Sequence, residues 1–286
     1  FPELFNFAVS TYEEITNLRF GDYSISSQEG TQQGDPLGPL YFCMSIQPIL
    51  SKLACEFVTG YLDDISLGGD VDIAIDDFIF LESEAGKLGL KLNRSKFEVI
   101  GASENSKTKL RNNGIILLEL DPSEAVLLGS PLHEESMDKT IEIKCKELEL
   151  ISNRLKLMPA HDGLFLLKNA LAIPKLMYIL RTAPCFKSDK LNMYDVILRR
   201  ALESILNVEL KENCWIQATL PVKFGGLGLR SAVQLAPSAY LASAASTTDL
   251  ANRLLPSHCR DTADPYLSDA LICWRLQVDP ETQIPL

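Results

Sequence analysis

The amino-acid sequence predicts an α+β fold, and three observations carry that expectation. Up to Pro131, short apolar runs bounded by Gly, Asp and Ser turns are interleaved with stretches of helical period. Past Pro131 the strand-like runs stop, and Met137, Ile141, Cys145, Leu148, Ile151, Leu155 and Met158 recur at steps of three and four. No internal repeat or low-complexity segment interrupts either part. The boundary is therefore placed near 131. Residues 1–131 should form a small antiparallel sheet with packed helices, and residues 132–286 a mostly helical region.

In the first part, "PELFNFAVSTYEEITNLRF" has a period near 3.6 and predicts one helix that starts beside Pro2 and ends before Gly21. "GDYSISSQEGTQQGD" reads as short strands with polar turns. In "DPLGPLYFCMSIQPILSKLA", Asp35 is placed as the N-cap and Pro36 at the first helical position, ahead of a largely apolar body. "EFVTGYLDDISLGGD" gives two strands joined at Asp63-Asp64 and closed by Gly68-Gly69. "DIAIDDFIFLESEAGKLG" predicts a helix with Gly89 just past its end, where a left-handed residue commonly stops a helix. "LKLN", "FEVIGA" and "AVLLGSPL" are the remaining strands.

In the second part, the spacing over 137–158 predicts a long amphipathic helix with a polar opposite face. Residues 162–182 read as helix broken near Pro174, and 189–206 as helix with Ser188 as N-cap and Asn207 at its stop. "LPVKFGGLGLRSA" is a Gly-rich turn leading into a helix that Ser231 caps.

Composition bounds the function. The chain has 286 residues, 46% hydrophobic and 23% charged, as a folded domain has. Its longest apolar run, "GLFLLKNALAIPKLMYIL", contains Lys168, Asn169, Pro174 and Lys175, so no membrane span is expected. No basic segment followed by an apolar one opens the chain, so secretion is not expected, and a start at Phe1 suggests a fragment. Seven cysteines lie scattered without a C-x-x-C pair, which argues against a zinc site or disulfide framework and fits a reducing, intracellular compartment. The net charge of −11 counts against a generic polyanion binder, because phosphate affinity comes largely from Lys and Arg. One basic cluster, Lys87, Lys91, Arg94 and Lys96 with Lys107, Lys109 and Arg111, is a local exception; taken alone it reads as a solvated surface.

Asp63-Asp64 carry the sharpest chemical signal. Two adjacent carboxylates repel unless a cation or water shares them. The pair is therefore either a solvated hairpin tip or a site for a divalent cation with oxygen ligands. Gln33-Gly34-Asp35-Pro36 precede a helix N-terminus, whose free N–H groups favour an anion such as a phosphate. "GGLG" at 225–228 lacks the strand and the Lys of a phosphate loop and reads as a tight turn. His133, His161 and His258 are isolated in sequence and are assigned no role.

Taken in order, "QQGDPLGPLYFCMSIQPIL", "GYLDDISLGG", "GLKLNRSKFEVIG" and "LLGSPL" resemble the palm motifs of reverse transcriptases of non-LTR retrotransposons. "LPVKFGGLGLRSA" is similar to a stretch found downstream of the polymerase in those elements. The four-residue form Tyr61-Leu62-Asp63-Asp64 is short, and its place after a QGDPLGP helix gives it specificity. The resemblance covers roughly residues 15 to 135 and continues more weakly to about 245.

The resemblance implies an RNA-directed DNA polymerase: a partial palm over 1–131 and a thumb-like region over 132–286, where the thumb grips duplex by its backbone. The implied partners are an RNA template, a DNA primer and deoxynucleoside triphosphates, and the implied cofactor is magnesium, with manganese as a substitute. In such polymerases two ions hold the primer 3′-oxygen and the leaving pyrophosphate. Asp63 would be the primary metal ligand and Asp64 its weaker neighbour, since adjacent strand residues point to opposite faces. Gln33 and Gly34 would lie along the incoming nucleotide, Lys96 near its phosphates, and Leu128 and Gly129 in the turn that holds the primer end. The family pattern also needs a fingers region and a further aspartate, at the end of an apolar strand upstream of the QGDPLGP helix. Asp22, Asp35, Asp70, Asp72, Asp76 and Asp77 do not sit in that order. The expectation is a chain that is inactive alone and holds metal weakly. The alternative is a non-catalytic nucleic-acid-binding or interaction protein derived from such an element.

Overall fold

A computed structural model describes residues 2–278 except 28, 33, 117, 261 and 263. The architecture is mixed α+β. The chain divides into two compact units, Phe1–Arg94 with Asn105–Ile115, and Ser95–Glu104 with Ile116–Leu286. The compositional change at Pro131 lies inside the second unit, at the foot of its longest early helix.

In the first unit, helix α1 (Phe5–Tyr12) is followed by strands β1 (Thr16–Phe20) and β2 (Tyr23–Ser27), helix α2 (Gly38–Leu50), strands β3 (Phe57–Tyr61) and β4 (Asp64–Gly68), and helix α3 (Val71–Lys87). The single helix expected up to Gly21 is corrected. Its second half is β1, which pairs antiparallel with β2 from Thr16↔Ser27 to Phe20↔Tyr23. Thr16 and Phe20 suit a strand, and Gly21 at φ 59° supplies the left-handed residue that closes a two-residue hairpin loop. Backbone pairing across that turn overrides the helical period.

Asp35 is not the N-cap of α2. Its carbonyl accepts the Gly38 N–H at 3.1 Å and its Oδ1 accepts the Leu37 N–H at 2.9 Å, so Asp35-Pro36-Leu37-Gly38 form a turn before the helix. Pro39 then takes the early helical position expected of Pro36. Asp70 is a true N-cap, accepting from Asp72 N at 2.8 Å, and Gly89 follows the end of α3 at φ 77° as expected. "LKLN" is not a strand. The basic stretch after it folds as helix α4 (Glu104–Asn112), which the sequence reading did not foresee.

The core of this unit takes Ile46 and Ile49 of α2, Cys55, Ile75, Leu81 and Ala85 of α3, Leu110 of α4, and Ile115. Buried Asp77 of α3 accepts the backbone N–H groups of Ala54 (2.8 Å) and Cys55 (2.7 Å), which satisfies the chain where it leaves α2. Burial would raise the Asp77 pKa, but these N–H bonds bring it below the ordinary value. Burial and the bond to Asp77 push the Cys55 thiol up to about 12.

In the second unit, β5 (Glu98–Val99) pairs parallel with β6 (Leu118–Glu119), so "FEVIGA" contributes only a two-residue strand. "AVLLGSPL" is a hairpin rather than one strand: β7 (Val126–Leu127) returns as β8 (Ser130–Pro131). The helices are α5 (Glu134–Leu155), α6 (Ala160–Leu166), α7 (Ile173–Thr182), α8 (Lys190–Leu206), α9 (Glu212–Thr219), α10 (Ala232–Leu254) and α11 (Leu267–Arg275). Met137, Ile141, Cys145, Leu148 and Leu155 of α5 enter one core with Leu176 and Leu180 of α7 and Leu198 and Leu202 of α8. Met158, past the helix end, is exposed.

The stretch Ala160–Thr182 is long and apolar enough to cross a membrane by composition. It is broken as expected: a π-helical turn over Leu167–Leu171 leads to Ala172, and Pro174 opens α7. Asn207 ends α8 in the left-handed conformation at φ 53°. Asp189 holds the N-cap position of α8, and Ser188 Oγ accepts the Lys190 N–H at 3.2 Å. Ser231 caps α10 by accepting Gln234 N at 3.2 Å, and Asp195 of α8 accepts the Ala232 N–H at 2.7 Å.

Candidate functional site

The hairpin β3–β4 holds the two adjacent carboxylates. Its register runs from Phe57↔Gly68 to Tyr61↔Asp64, so the loop is Leu62-Asp63 and not Asp63-Asp64. Leu62 has φ 56°, while Asp63 is not left-handed. A positive φ at the first central residue alone is also what Gly21 shows in the β1–β2 hairpin. Leucine therefore occupies a position that favours glycine, and the strain of a left-handed leucine sits beside the acids. The ranking of Asp63 over Asp64 by strand alternation does not apply, because Asp63 lies in the turn and Asp64 opens β4. Both carboxylates are exposed at the tip.

The hairpin is seated on α2 through Gly60, where a Cβ would lie 2.9 Å from Leu50 Cδ1. Two adjacent carboxylates with water completing the shell suit a hydrated magnesium ion held loosely. Among the described residues, no group of three or more His, Cys, Asp or Glu could hold a metal ion. Four other aspartates of this unit are held by structural bonds. Asp35 accepts from the Tyr12 hydroxyl, whose bond holds the carboxyl below its ordinary pKa. Asp70 and Asp77 accept backbone N–H groups, and Asp72 pairs with Lys109 at 2.6 Å.

Gly34 sits at φ 95° in the turn before α2, with open space around the position of a Cβ. Gln33 lies outside the described residues. A cleft of about 500 Å³ in the same unit is lined by Tyr12, Gln32 and Tyr41 together with Glu13, Glu14 and Glu29. The Tyr41 hydroxyl is buried and has no hydrogen-bond partner among the described residues. Three carboxylates make this cleft a poor host for a triphosphate.

Lys96, Leu128 and Gly129 belong to the second unit. Lys96 ends a 3₁₀ turn and is exposed. Leu128 and Gly129 form the loop of β7–β8 with φ 50° and 81°, the paired left-handed residues of a tight hairpin turn. Tyr178 of α7, unnoticed in sequence, donates its hydroxyl to Leu128 O at 2.6 Å, and Ser130 Oγ reaches Thr182 O at 3.4 Å. Nothing local in the sequence pairs residues so far apart.

Acids of α3 pair with three of the seven cations of the basic cluster, Lys87, Arg94 and Lys109. Arg94 Nε donates to Glu82 Oε1 at 2.7 Å with its guanidinium 5.6 Å from the Phe78 ring, Lys87 pairs with Glu84, and Lys109 pairs with Asp72. The bond to Arg94 holds the Glu82 carboxyl below its ordinary pKa. At Lys87, Arg94 and Lys109 the positive charge is met by carboxylates, which lowers what these three residues could offer a polyanion. No family model matches the chain, and no curated protein is similar enough to match it.

Proposed function

We propose that this chain is the palm and thumb-like part of a reverse transcriptase of non-LTR type, with Asp63 and Asp64 as carboxylates of its metal centre. The observation that carries the reading is the strained hairpin tip: a left-handed Leu62 turns the chain so that two adjacent, exposed carboxylates close the β3–β4 loop. The motif order in the sequence supports it, with Gly34 in the turn before the helix that seats this hairpin, and Leu128-Gly129 in a hairpin tip of their own. When bound, magnesium would supply charge neutralisation for an in-line phosphoryl transfer. Asp63 and Asp64 would hold the ion, Gly34 would let a nucleotide approach the backbone, and Leu128-Gly129 would seat a primer end.

With these carboxylates alone, polymerisation by the isolated chain is not expected. RNA-templated primer extension in magnesium or manganese tests this, and extension abolished by Asp63→Ala would overturn the inactivity while keeping the polymerase reading. The second reading is a non-catalytic nucleic-acid-binding protein of the same descent. The commitment of Asp35, Asp70, Asp72 and Asp77 to structural bonds favours it. Salt-dependent binding of an RNA–DNA duplex without primer extension is its signature.

A further inference from the structure

In the second unit the broken helix and the Gly-rich loop face each other across a cleft of about 600 Å³, the size of a small-ligand pocket. Pro174 and Met177 line it from the start of α7, and Val222 and Leu229 from the loop. Lys168 and Arg230 bring two cations, and no acid is among its lining residues. Neither cation pairs with an acid among the described residues. In a chain of net charge −11, two unpaired cations sharing one apolar cleft form a local site for an anion.

The walls are fixed by backbone. Gly226 lies so close to the preceding turn that a Cβ would fall 2.0 Å from Leu220 O, and Gly228 N donates to Leu220 O at 2.9 Å. Gly228 sits at φ 74°, and a Cβ there would come within 2.9 Å of Lys168 Nζ, so the absent side chain leaves the space that the ammonium uses. Opposite, Lys168 belongs to the π-helical turn Leu167–Leu171, a distortion that recurs at functional sites. The cations are thus carried on a rigid frame, which limits the ordering cost of binding.

We propose that this cleft binds a nucleotide, with the phosphate on Lys168 and Arg230 and the base among Pro174, Met177, Val222 and Leu229. Charge-assisted hydrogen bonds from two cations match a phosphate, and the apolar floor accommodates a flat base. The nucleotide is either free or one unit of a single strand. The inference stands on the cleft and does not need the Asp63-Asp64 hairpin.

Calorimetric titration of the whole chain in EDTA, so that no divalent cation takes part, tests it with AMP, adenosine and a ten-residue oligoadenylate. AMP should bind at one site, adenosine at least about tenfold more weakly, and Lys168→Met or Arg230→Met should each weaken AMP about tenfold. Methionine keeps the apolar stem of each side chain, and circular dichroism checks the fold first. Inorganic phosphate should displace AMP from the unaltered chain, a readout that needs no variant. An oligomer that binds more tightly than AMP and is weakened by the same variants assigns the strand as the source; equal binding assigns the free nucleotide. No saturation below about 10 mM AMP, adenosine binding equal to AMP, no displacement by phosphate, or an unchanged affinity in the double variant overturns the proposal.

Discussion

Tyr178 donates its hydroxyl to the carbonyl oxygen of Leu128 at 2.6 Å, tying a hairpin tip to a helix fifty residues further along the chain. The tie holds a left-handed leucine in place, next to Gly129, whose missing Cβ would sit 3.7 Å from the Tyr178 ring. Tyr178→Phe removes the bond and keeps the ring. We expect a loss of about 1 kcal/mol in urea unfolding, with faster amide exchange over residues 126–131.

Leu62 makes the opposite case. A left-handed leucine costs roughly 1–2 kcal/mol, and glycine there gives back roughly 0.5–1 kcal/mol through the entropy of the unfolded chain. Leu62→Gly should therefore stabilise the chain by roughly 0.5–1 kcal/mol, measured as a raised urea midpoint with an unchanged slope. Strain kept at this tip despite so simple a remedy would mark the turn as functional.

Asp77 sets an acid-side limit on stability. Asp77→Ala leaves the N–H groups of Ala54 and Cys55 without their acceptor and should cost about 2–3 kcal/mol at neutral pH. The folded-state pKa lies below the ordinary 3.8, so the stabilisation is present above that value and is lost as pH falls through the folded pKa. Unfolding midpoints of the parent and the variant should converge below about pH 4.

Asp195 should show the reverse sign. Burial raises its pKa, against bonds from Ser231 Oγ and the Ala232 and Val233 N–H groups, which lower it. Stability linked to this group is full below the ordinary 3.8 and declines as pH rises through the folded value. In a pH series, the stability of the parent relative to Asp195→Asn should fall from acid toward neutral pH. A difference that rises with pH would place the Asp195 pKa below its ordinary value.

Local chemistry made much of this legible. Gly89, Asn207, Ser231 and the break at Pro174 were read from residue types whose backbone preferences act on their immediate neighbours. The period of Met137, Ile141, Cys145 and Leu148 gave the buried face of α5, because a helix repeats its face within a few residues. Where the reading failed, non-local pairing decided. Thr16–Phe20 became a strand because Tyr23–Ser27 lay opposite, and the basic run 104–112 became a helix with Lys109 drawn to Asp72.

The candidate site was legible to the same extent. The two acids and the Leu128-Gly129 turn could be named in sequence, but the loop was placed one residue late at Asp63-Asp64. Nothing in the residue types announces that leucine takes the left-handed position at 62. The tie from Tyr178, the capping by Asp77 and the cation pair Lys168 and Arg230 depend on residues brought together by packing.

The most direct test of the metal-site reading is manganese titration followed by amide NMR. A hairpin that holds a divalent ion should show paramagnetic broadening confined to residues near 61–65 at millimolar manganese, lost in Asp63→Ala and reversed by excess magnesium. Broadening spread over acidic surfaces in general, or broadening at the tip that Asp63→Ala leaves unchanged, would contradict the account.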